Sequence, residues 1–310
     1  MVVNTKPVVC LAHRHLSFLG ADLRDRYDVI TGWEASDDPR LRETQALVVA
    51  GEVPLDKALV QGMPALGLVA CASTGYDGID VAWARSLGLQ LSHARHVNDG
   101  DVADHALGCI IGHYRDLLKG GDFVRSGEWP APGTRINRSL AGLRLGIMGL
   151  GDIGLAVAER ATAFRMDVAW WGPREKDTPW RRAASLLTLA DESDVLVVTA
   201  RSDATNHGVV CREVIEAIGA AGLLVNVARG RLVDEDALVA GLRSGRLGGA
   251  ALDVFQEEPT PASKWQDVPN LILTPHTAGR TQESLGRISD QLRGNLAAFF
   301  ADRPLLTPIR

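Results

Sequence analysis

Apolar residues fall along this chain in two alternating textures. Short apolar runs, VVCLA (8–12), YDVI (27–30), ALVVA (46–50), LGLVACA (66–72) and LQLSHA (89–94), separate stretches in which apolar positions recur at helical spacing. All five look like strands, and several do not alternate with polar residues, which predicts burial on both faces. A long amphipathic segment from Asp101 to Leu118 predicts a helix, with Asp101 near its start and Gly120 and Gly121 ending it. After SGEWPAPG (126–133) a second series begins: LRLGIM (143–148), DVAWW (167–171), DVLVVTA (194–200), LLVNVA (223–228), LGGAALDVF (247–255) and LILTP (271–275), with helical patterns in most of the gaps. A last helix is expected from Thr281 to Phe300. Strands alternating with helices predict an α/β fold with parallel sheets covered on both faces.

Length and composition narrow this picture. With 310 residues the chain has room for two domains, each with its own core. A net charge of -5 gives no broad basic surface, so no nucleic-acid partner is expected. No apolar run is long enough to span a bilayer, and the opening MVVNTKPVVCLAH leads straight into a strand-like segment. A cytoplasmic protein with no membrane partner is the expectation. Cys10, Cys71, Cys109 and Cys211 lie far apart with no metal-ligand spacing and read as reduced, mostly buried small hydrophobes.

The first chemistry is at GLGDIG (149–154), between a strand-like run and the helical LAVAERATAF. Gly149 would permit a tight turn, Gly151 would let backbone approach a pyrophosphate, and Gly154 would let the helix pack closely on the sheet. The helix N-terminus would supply free N–H groups and a positive dipole end. Asp152, inside the loop, must point its carboxylate away from a phosphate or have it offset. The next strand ends about 18 residues beyond Gly154, where an NAD site commonly has an acid to bind the ribose hydroxyls. This chain has Gly172 there, and Arg174 two residues on. A missing acid and a nearby guanidinium suit a 2′-phosphate, although loop arginines are more often simply solvated.

NVARGRLVDEDAL (226–238), GGAALDVFQEEP (248–259) and LILTPHTAG (271–279) occur in this order, each at a strand end. With GLGDIGLAVAERATAF and VADHALG (102–108) upstream, the chain resembles the D-2-hydroxyacid dehydrogenase family over nearly its whole length. Within it, the resemblance is to the glyoxylate/hydroxypyruvate reductase and hydroxyphenylpyruvate reductase branch. The resemblance implies two Rossmann-like domains with parallel sheets: a substrate domain of residues 1–97 and 280–310, and a cofactor domain of residues 98–279. The active site is then expected in the interdomain cleft. That branch often has a small residue and an arginine where Gly172 and Arg174 stand, and it tends to use NADPH. NADP(H) is therefore the expected cofactor, with NAD(H) as the alternative.

The resemblance also assigns roles. Arg229 matches the arginine that grips the substrate carboxylate and polarises its carbonyl, His276 the acid/base in contact with substrate, and Glu258 the partner carboxylate. Glu257 is a rival, but the residue directly before Pro259 fits the motif. Formate dehydrogenases carry glutamine at that place. Thr74 and Gly75, in CASTGYDGID (71–80), match the loop whose N–H groups bind the substrate carboxylate. Asp253 matches the residue that bonds the nicotinamide carboxamide. Gly149, Gly151, Asp152, Ile153 and Gly154 complete the cofactor contacts with Gly172 and Arg174. The substrate class implied is a small 2-keto or 2-hydroxy acid, with no metal.

The resemblance and the many apolar positions between 101 and 118 lead us to expect a homodimer. Trp129 either reaches a neighbouring subunit's site, as a tryptophan near here can in the branch, or packs at a dimer interface. Arg280 stands where the family often has a small residue; it either biases substrate choice towards acids or is a solvated helix-start residue. His13, His15, His93, His96, His105, His113 and His207 match no catalytic position. Two other functions compete: a cofactor-sensing corepressor-like binding protein, and NAD-linked phosphoglycerate oxidation. Gly172 and the chain's end soon after its last helical segment count against the latter.

Overall fold

A computed structural model describes residues 6–34, 38–129, 131 and 136–309. Residues 1–5 of the opening segment and most of PAPG (130–133) lie outside the described residues. The chain divides into two compact units, Met1–Asn98 with Gln282–Arg310, and Asp99–Thr281.

In the first unit, strands β1 (Val8–Leu11), β2 (Asp28–Thr31), β3 (Thr44–Val49), β4 (Leu68–Cys71) and β5 (Gln90–Ser92) form one parallel sheet in the order β2-β1-β3-β4-β5. The crossovers carry α1 (Gly20–Arg24), α2 (Lys57–Gln61) and α3 (Val81–Ser86). Strands β1 and β4 are buried along their length, which is why their sequences do not alternate.

The second unit opens with α4 (Asp99–Tyr114) and α5 (Leu117–Ser126), then lays down β6 (Arg144–Met148), α6 (Asp152–Ala163), β7 (Asp167–Trp171), β8 (Arg181–Arg182), α7 (Leu186–Asp191), β9 (Val195–Val198), α8 (Arg212–Ile218), β10 (Leu223–Asn226), α9 (Glu235–Arg243), β11 (Gly249–Leu252), α10 (Ala262–Trp265) and β12 (Leu271–Leu273). Its seven strands are parallel in the order β12-β11-β10-β9-β6-β7-β8. The strand order reverses between β6 and β9. In open parallel sheets this switch point, at the carboxyl ends of the strands, is where ligands bind. Helix α11 (Gln282–Phe300) then returns to the first unit, where Ile288, Leu292 and Leu296, spaced four apart, join the core with Val9, Leu11 and Leu68.

Two expectations need correction. The helix foreseen from Asp101 to Leu118 is two helices, because Asp116 adopts a left-handed conformation (φ 52°) between α4 and α5. Asp is one of the few residues that tolerates it. Gly120 and Gly121 do not end a helix; they lie within α5, which stops at Gly127 (φ 76°). The apolar residues of α4 are mostly used within the unit: Val102, Ala103, Ala106, Leu107 and Ile110 join a core with Val157, Ala158 and Ala161 of α6. The exposed apolar side chains follow it, at Leu117, Leu118, Val124, Trp129 and Ile136. Cys10, Cys71 and Cys109 are buried free thiols and Cys211 is half-buried and free.

Candidate active site

The loop after β6 is shaped by its glycines. Gly149 has φ 96°, and a Cβ there would sit 2.5 Å from the Ala200 Cα. A Cβ on Gly154 would overlap the Gly149 carbonyl, so α6 can pack against the turn only because position 154 has no side chain. Gly151 differs: the space its Cβ would enter is open. Its lack of a side chain therefore serves no packing partner among the described residues; it leaves room for something to approach the backbone. Gly151 is also the N-cap of α6, and no side chain caps that helix. The first turn of α6, at Asp152 and Ile153, points backbone N–H groups and the positive end of the helix dipole at this opening, which suits an anionic ligand. A dinucleotide pyrophosphate fits this cradle. Asp152 is exposed in the first helical turn, where the helix dipole favours a carboxylate.

At the end of β7, Gly172 is buried against the Trp170 ring and Arg174 is exposed. Sequence reading missed two further cations here. Arg182, on the edge strand β8, donates to the Gly172 carbonyl at 2.8 Å, lies 5.6 Å from the Trp170 ring and approaches Glu175 at 3.5 Å. Lys176 donates to the Leu150 carbonyl, in the middle of the glycine turn. Lys176 was visible at the end of WWGPREK; Arg182 was not, because only strand pairing brings it to Gly172.

The residues expected from sequence to form the acid/base site stand on the loops after β10, β11 and β12. Arg229 follows β10, half-buried; its Nη1 donates to the Ala228 carbonyl at 2.7 Å, and the buried Asn226 bonds the Arg229 carbonyl and the Ala228 N–H. Gly230 is forced: a Cβ there would overlap the Phe255 carbonyl. His276 adopts φ 54°, a left-handed conformation held by its N–H on the Asp253 carbonyl at 2.8 Å. Its Nδ1 meets the Glu258 Oε2 at 2.6 Å, and the Glu258 Oε1 accepts the Phe255 N–H at 2.9 Å.

The electrostatics follow from these contacts. The bond to Glu258 raises the His276 pKa above the ordinary imidazole value; burial and the Arg229 charge oppose this, and Asp253 adds to it. Burial alone would raise Glu258, but the bonds from His276 and the Phe255 N–H, with the Arg229 charge, hold it below the usual glutamate range. Arg229 is thus close enough for its charge to act on both partners.

Asp253 is 2% exposed and staples the His276 loop. Its Oδ1 accepts from the Thr274 hydroxyl at 2.6 Å and the Thr277 N–H at 2.8 Å, and its Oδ2 from the Ala278 N–H at 2.9 Å. A carboxylate has about four acceptor sites, so one remains for an outside donor. His105, read from sequence as a bystander, joins this network through the Thr274 hydroxyl at 3.1 Å. Arg280 is exposed, its N–H closing a turn on the Thr277 carbonyl.

Thr74 and Gly75 lie after β4 in the other unit. The Thr74 hydroxyl donates to the Asn98 Oδ1 at 2.8 Å, His93 Nδ1 meets the Thr74 carbonyl at 2.9 Å, and the Ser73 hydroxyl donates to the Gly75 carbonyl at 2.9 Å. This bracing uses side chains and carbonyls and leaves the N–H groups of Thr74 and Gly75 out of it.

Residues 107–278 match the model of the D-isomer specific 2-hydroxyacid dehydrogenase NAD binding domain. The chain is 35% identical to a glyoxylate/hydroxypyruvate reductase of Arabidopsis thaliana, over 100% of this chain and 99% of that one. It is 38% identical to a hydroxyphenylpyruvate reductase of Plectranthus scutellarioides, over 86% and 85% of the two chains. The chain belongs to the D-isomer specific 2-hydroxyacid dehydrogenase family.

Among solved structures, an NADPH-dependent glyoxylate/hydroxypyruvate reductase of Sinorhizobium meliloti, in complex with NADP and malonate, superposes with a TM-score of 0.90 at 30% identity, covering 98% of this chain and 97% of that one. Within the D-isomer specific 2-hydroxyacid dehydrogenase family, the chain thus resembles the glyoxylate/hydroxypyruvate and hydroxyphenylpyruvate reductase branch. The family's matched segment carries the glycine loop, Gly172, Arg174, Arg229, Asp253, Glu258 and His276; Thr74 and Gly75 precede it.

Proposed function

We propose that this chain is an NADPH-dependent reductase of small 2-keto acids, such as glyoxylate or hydroxypyruvate, giving D-2-hydroxy acids. The observation that carries the reading is the 2.6 Å contact of His276 Nδ1 with Glu258, with the Arg229 charge acting on both. NADPH, when bound, supplies the hydride for the carbonyl carbon. Gly149, Gly151, Asp152, Ile153 and Gly154 would hold its pyrophosphate at the N-terminus of α6, and Arg174 beside Gly172 would hold the 2′-phosphate. The spare acceptor site of Asp253 would take the carboxamide.

The chain's own groups do the rest. Arg229 offers a fixed positive fork to the substrate carboxylate and to the carbonyl oxygen as negative charge builds there. The N–H groups of Thr74 and Gly75 bind the substrate carboxylate. With Nδ1 engaged by Glu258, His276 presents Nε2 to the carbonyl oxygen and donates its proton from there. Glu258 keeps the ring charged before transfer and oriented after it. Arg229 remains protonated throughout.

The same reading makes the enzyme a homodimer, supported by the exposed apolar side chains at Leu117, Leu118, Val124, Trp129 and Ile136, which would lose water at an interface. It places the enzyme in the cytoplasm, where its free thiols stay reduced. No helix of the described residues is long and apolar enough to cross a membrane. A panel of small, hydroxylated and aromatic 2-keto acids, each with NADPH and NADH, tests the reading. Turnover with none of them overturns it; turnover with NADH alone overturns the cofactor assignment.

A further inference from the structure

The loop between β11 and α10 that carries Glu258 closes on itself, because Glu258 accepts the N–H of Phe255, three residues before it. What ties this closed loop to the fold is Glu235, the first residue of α9. Glu235 is 2% exposed. Its Oε1 accepts the Gln256 N–H at 2.6 Å, and its Oε2 pairs with the Lys264 Nζ at 2.6 Å. One buried carboxylate thus holds the loop near its entry, at Gln256, and the helix that follows its exit, at Lys264. The Gln256 side chain adds a bond from Nε2 to the Val233 carbonyl at 2.8 Å. Gly230 also lies against the same stretch, so close that a Cβ would overlap the Phe255 carbonyl. The Phe255–Gln256 peptide is therefore fixed between the turn that carries Arg229 and the Glu235 carboxylate.

Stability alone does not account for this arrangement. A buried ion pair contributes little more than a well-packed apolar pair would, since desolvation offsets most of the attraction. What a carboxylate adds is direction: two oxygens with two fixed donors. Burial works against the Lys264 ammonium, yet Glu235 and Asp236 outweigh it and hold its pKa above the ordinary lysine value.

We propose that Glu235 is a positioning residue of the acid/base site: its buried carboxylate, held by Lys264, fixes the Phe255–Gln256 peptide and thereby sets how Glu258 meets His276. The proposal rests on the reading of His276 and Glu258 as the acid/base pair. Within this unit the charged and titratable groups facing His276 are Glu258 on the loop itself, Arg229 from the turn after β10, Asp253 at the end of β11, and His105 of α4 beside Asp253. Glu235 bonds the Glu258 loop and not His276, so its effect passes through Glu258.

The test is the titration of the His276 imidazole, followed by NMR in the full-length protein and assigned by the resonance missing from His276→Asn. Glu235→Gln keeps the shape and an acceptor oxygen but loses the charge. Lys264→Met removes the second anchor and, being at a partly exposed site, leaves a folded protein if Glu235→Gln does not fold. In either variant the midpoint should fall by about one pH unit, the lower end of what a close carboxylate contributes. Asp236→Asn, at an exposed carboxylate 3.6 Å from Lys264, should leave the midpoint unchanged. The alkaline limb of kcat should move with the titration while KM for NADPH stays fixed. An unmoved midpoint in the folded variants, with only a lowered Tm, would assign Glu235 a purely structural role and overturn the proposal. So would an equal shift in Asp236→Asn, which would mark a bulk charge effect. If the wild-type protein reduces no 2-keto acid, the functional reading fails, and the cofactor-free titration still decides the positioning role.

Discussion

Along the carboxyl edge of the seven-stranded sheet, the half built from β10, β11 and β12 holds its polar side chains by short bonds, whereas the half built from β6 and β7 fixes its backbone and leaves much of its charge in solvent. On the first half, His276, Glu258 and Asp253 each have partners within 3 Å. On the second, Gly149 and Gly154 have no space for a side chain, but Arg174 and Lys176 are exposed. The difference matches the two tasks proposed for these halves. Proton transfer needs heavy atoms within hydrogen-bond reach of one another, so small displacements matter. Discriminating a 2′-phosphate needs positive charge nearby, which solvent screens and which several side chains can share. Substitutions on the first half should therefore act steeply on turnover, and those on the second half gradually and on one cofactor only.

His276→Asn should produce the largest effect. It should leave NADPH binding intact and lower keto-acid reduction by about 10²–10⁴-fold, the usual contribution of a general acid. Asparagine keeps a neutral donor but has no transferable proton, and Arg229 cannot release one at neutral pH. Near wild-type turnover, under conditions where chemistry limits the rate, would mean the proton comes from elsewhere.

Next in size is Arg174→Ala, on the other half. Loss of a charge-assisted bond costs about 1.5–3 kcal/mol, so the Kd for NADPH should rise roughly 10- to 100-fold. The Kd for NADH should hardly change. Titration of cofactor fluorescence with both nucleotides checks this, and an equal loss for both would erase the distinction between the two halves.

Glu258→Gln should shift a profile more than it lowers a rate. Reduction needs the imidazolium, and Glu258 holds the His276 pKa above its ordinary value. Activity is therefore retained up to that raised pKa and lost as pH climbs through it. Without the carboxylate charge the pKa falls, and the alkaline limb of kcat should move to lower pH, by about one unit or more. Below that limb some activity should remain, because the amide oxygen can still orient the ring. A limb that stays in place in a pH–rate series would show that another group sets it.

The same contrast explains what was legible in the sequence. The parallel α/β fold could be read because runs such as ALVVA and LLVNVA carry no alternation, and buried parallel strands need none. Arg229 and His276 stood out because each directly follows such a run in a recognisable motif, and Glu258 because it stands directly before Pro259 in another. What stayed hidden depends on tertiary partners. The break at Asp116 leaves the apolar spacing from Asp101 to Leu118 undisturbed, so periodicity ran through it. Strand β8 is two arginines with no apolar residue, and without it Arg182 had no route to Gly172. His105 and Glu235 sit on helices whose spacing says which face is buried but not which polar group that face meets.

The smallest effect expected is that of Lys176→Met, and it tests whether the charge on the β6–β7 half is shared. Lys176 donates to the Leu150 carbonyl, between Gly149 and Gly151, so its ammonium lies beside the turn proposed to cradle the cofactor. Arg182 is partly spent on Glu175 and the Gly172 carbonyl. Lys176 bonds a neutral carbonyl, and no carboxylate among the described residues pairs with it. Its full charge is available to a phosphate, but it is exposed, so its contribution should resemble that of a surface ion pair. The Kd for NADPH should rise roughly two- to fivefold at low salt, a change that should shrink as ionic strength increases, with the Kd for NADH unmoved. If both cofactors weaken equally and salt makes no difference, Lys176 acts by holding the glycine turn through the Leu150 carbonyl, and Arg174 alone reads the 2′-phosphate.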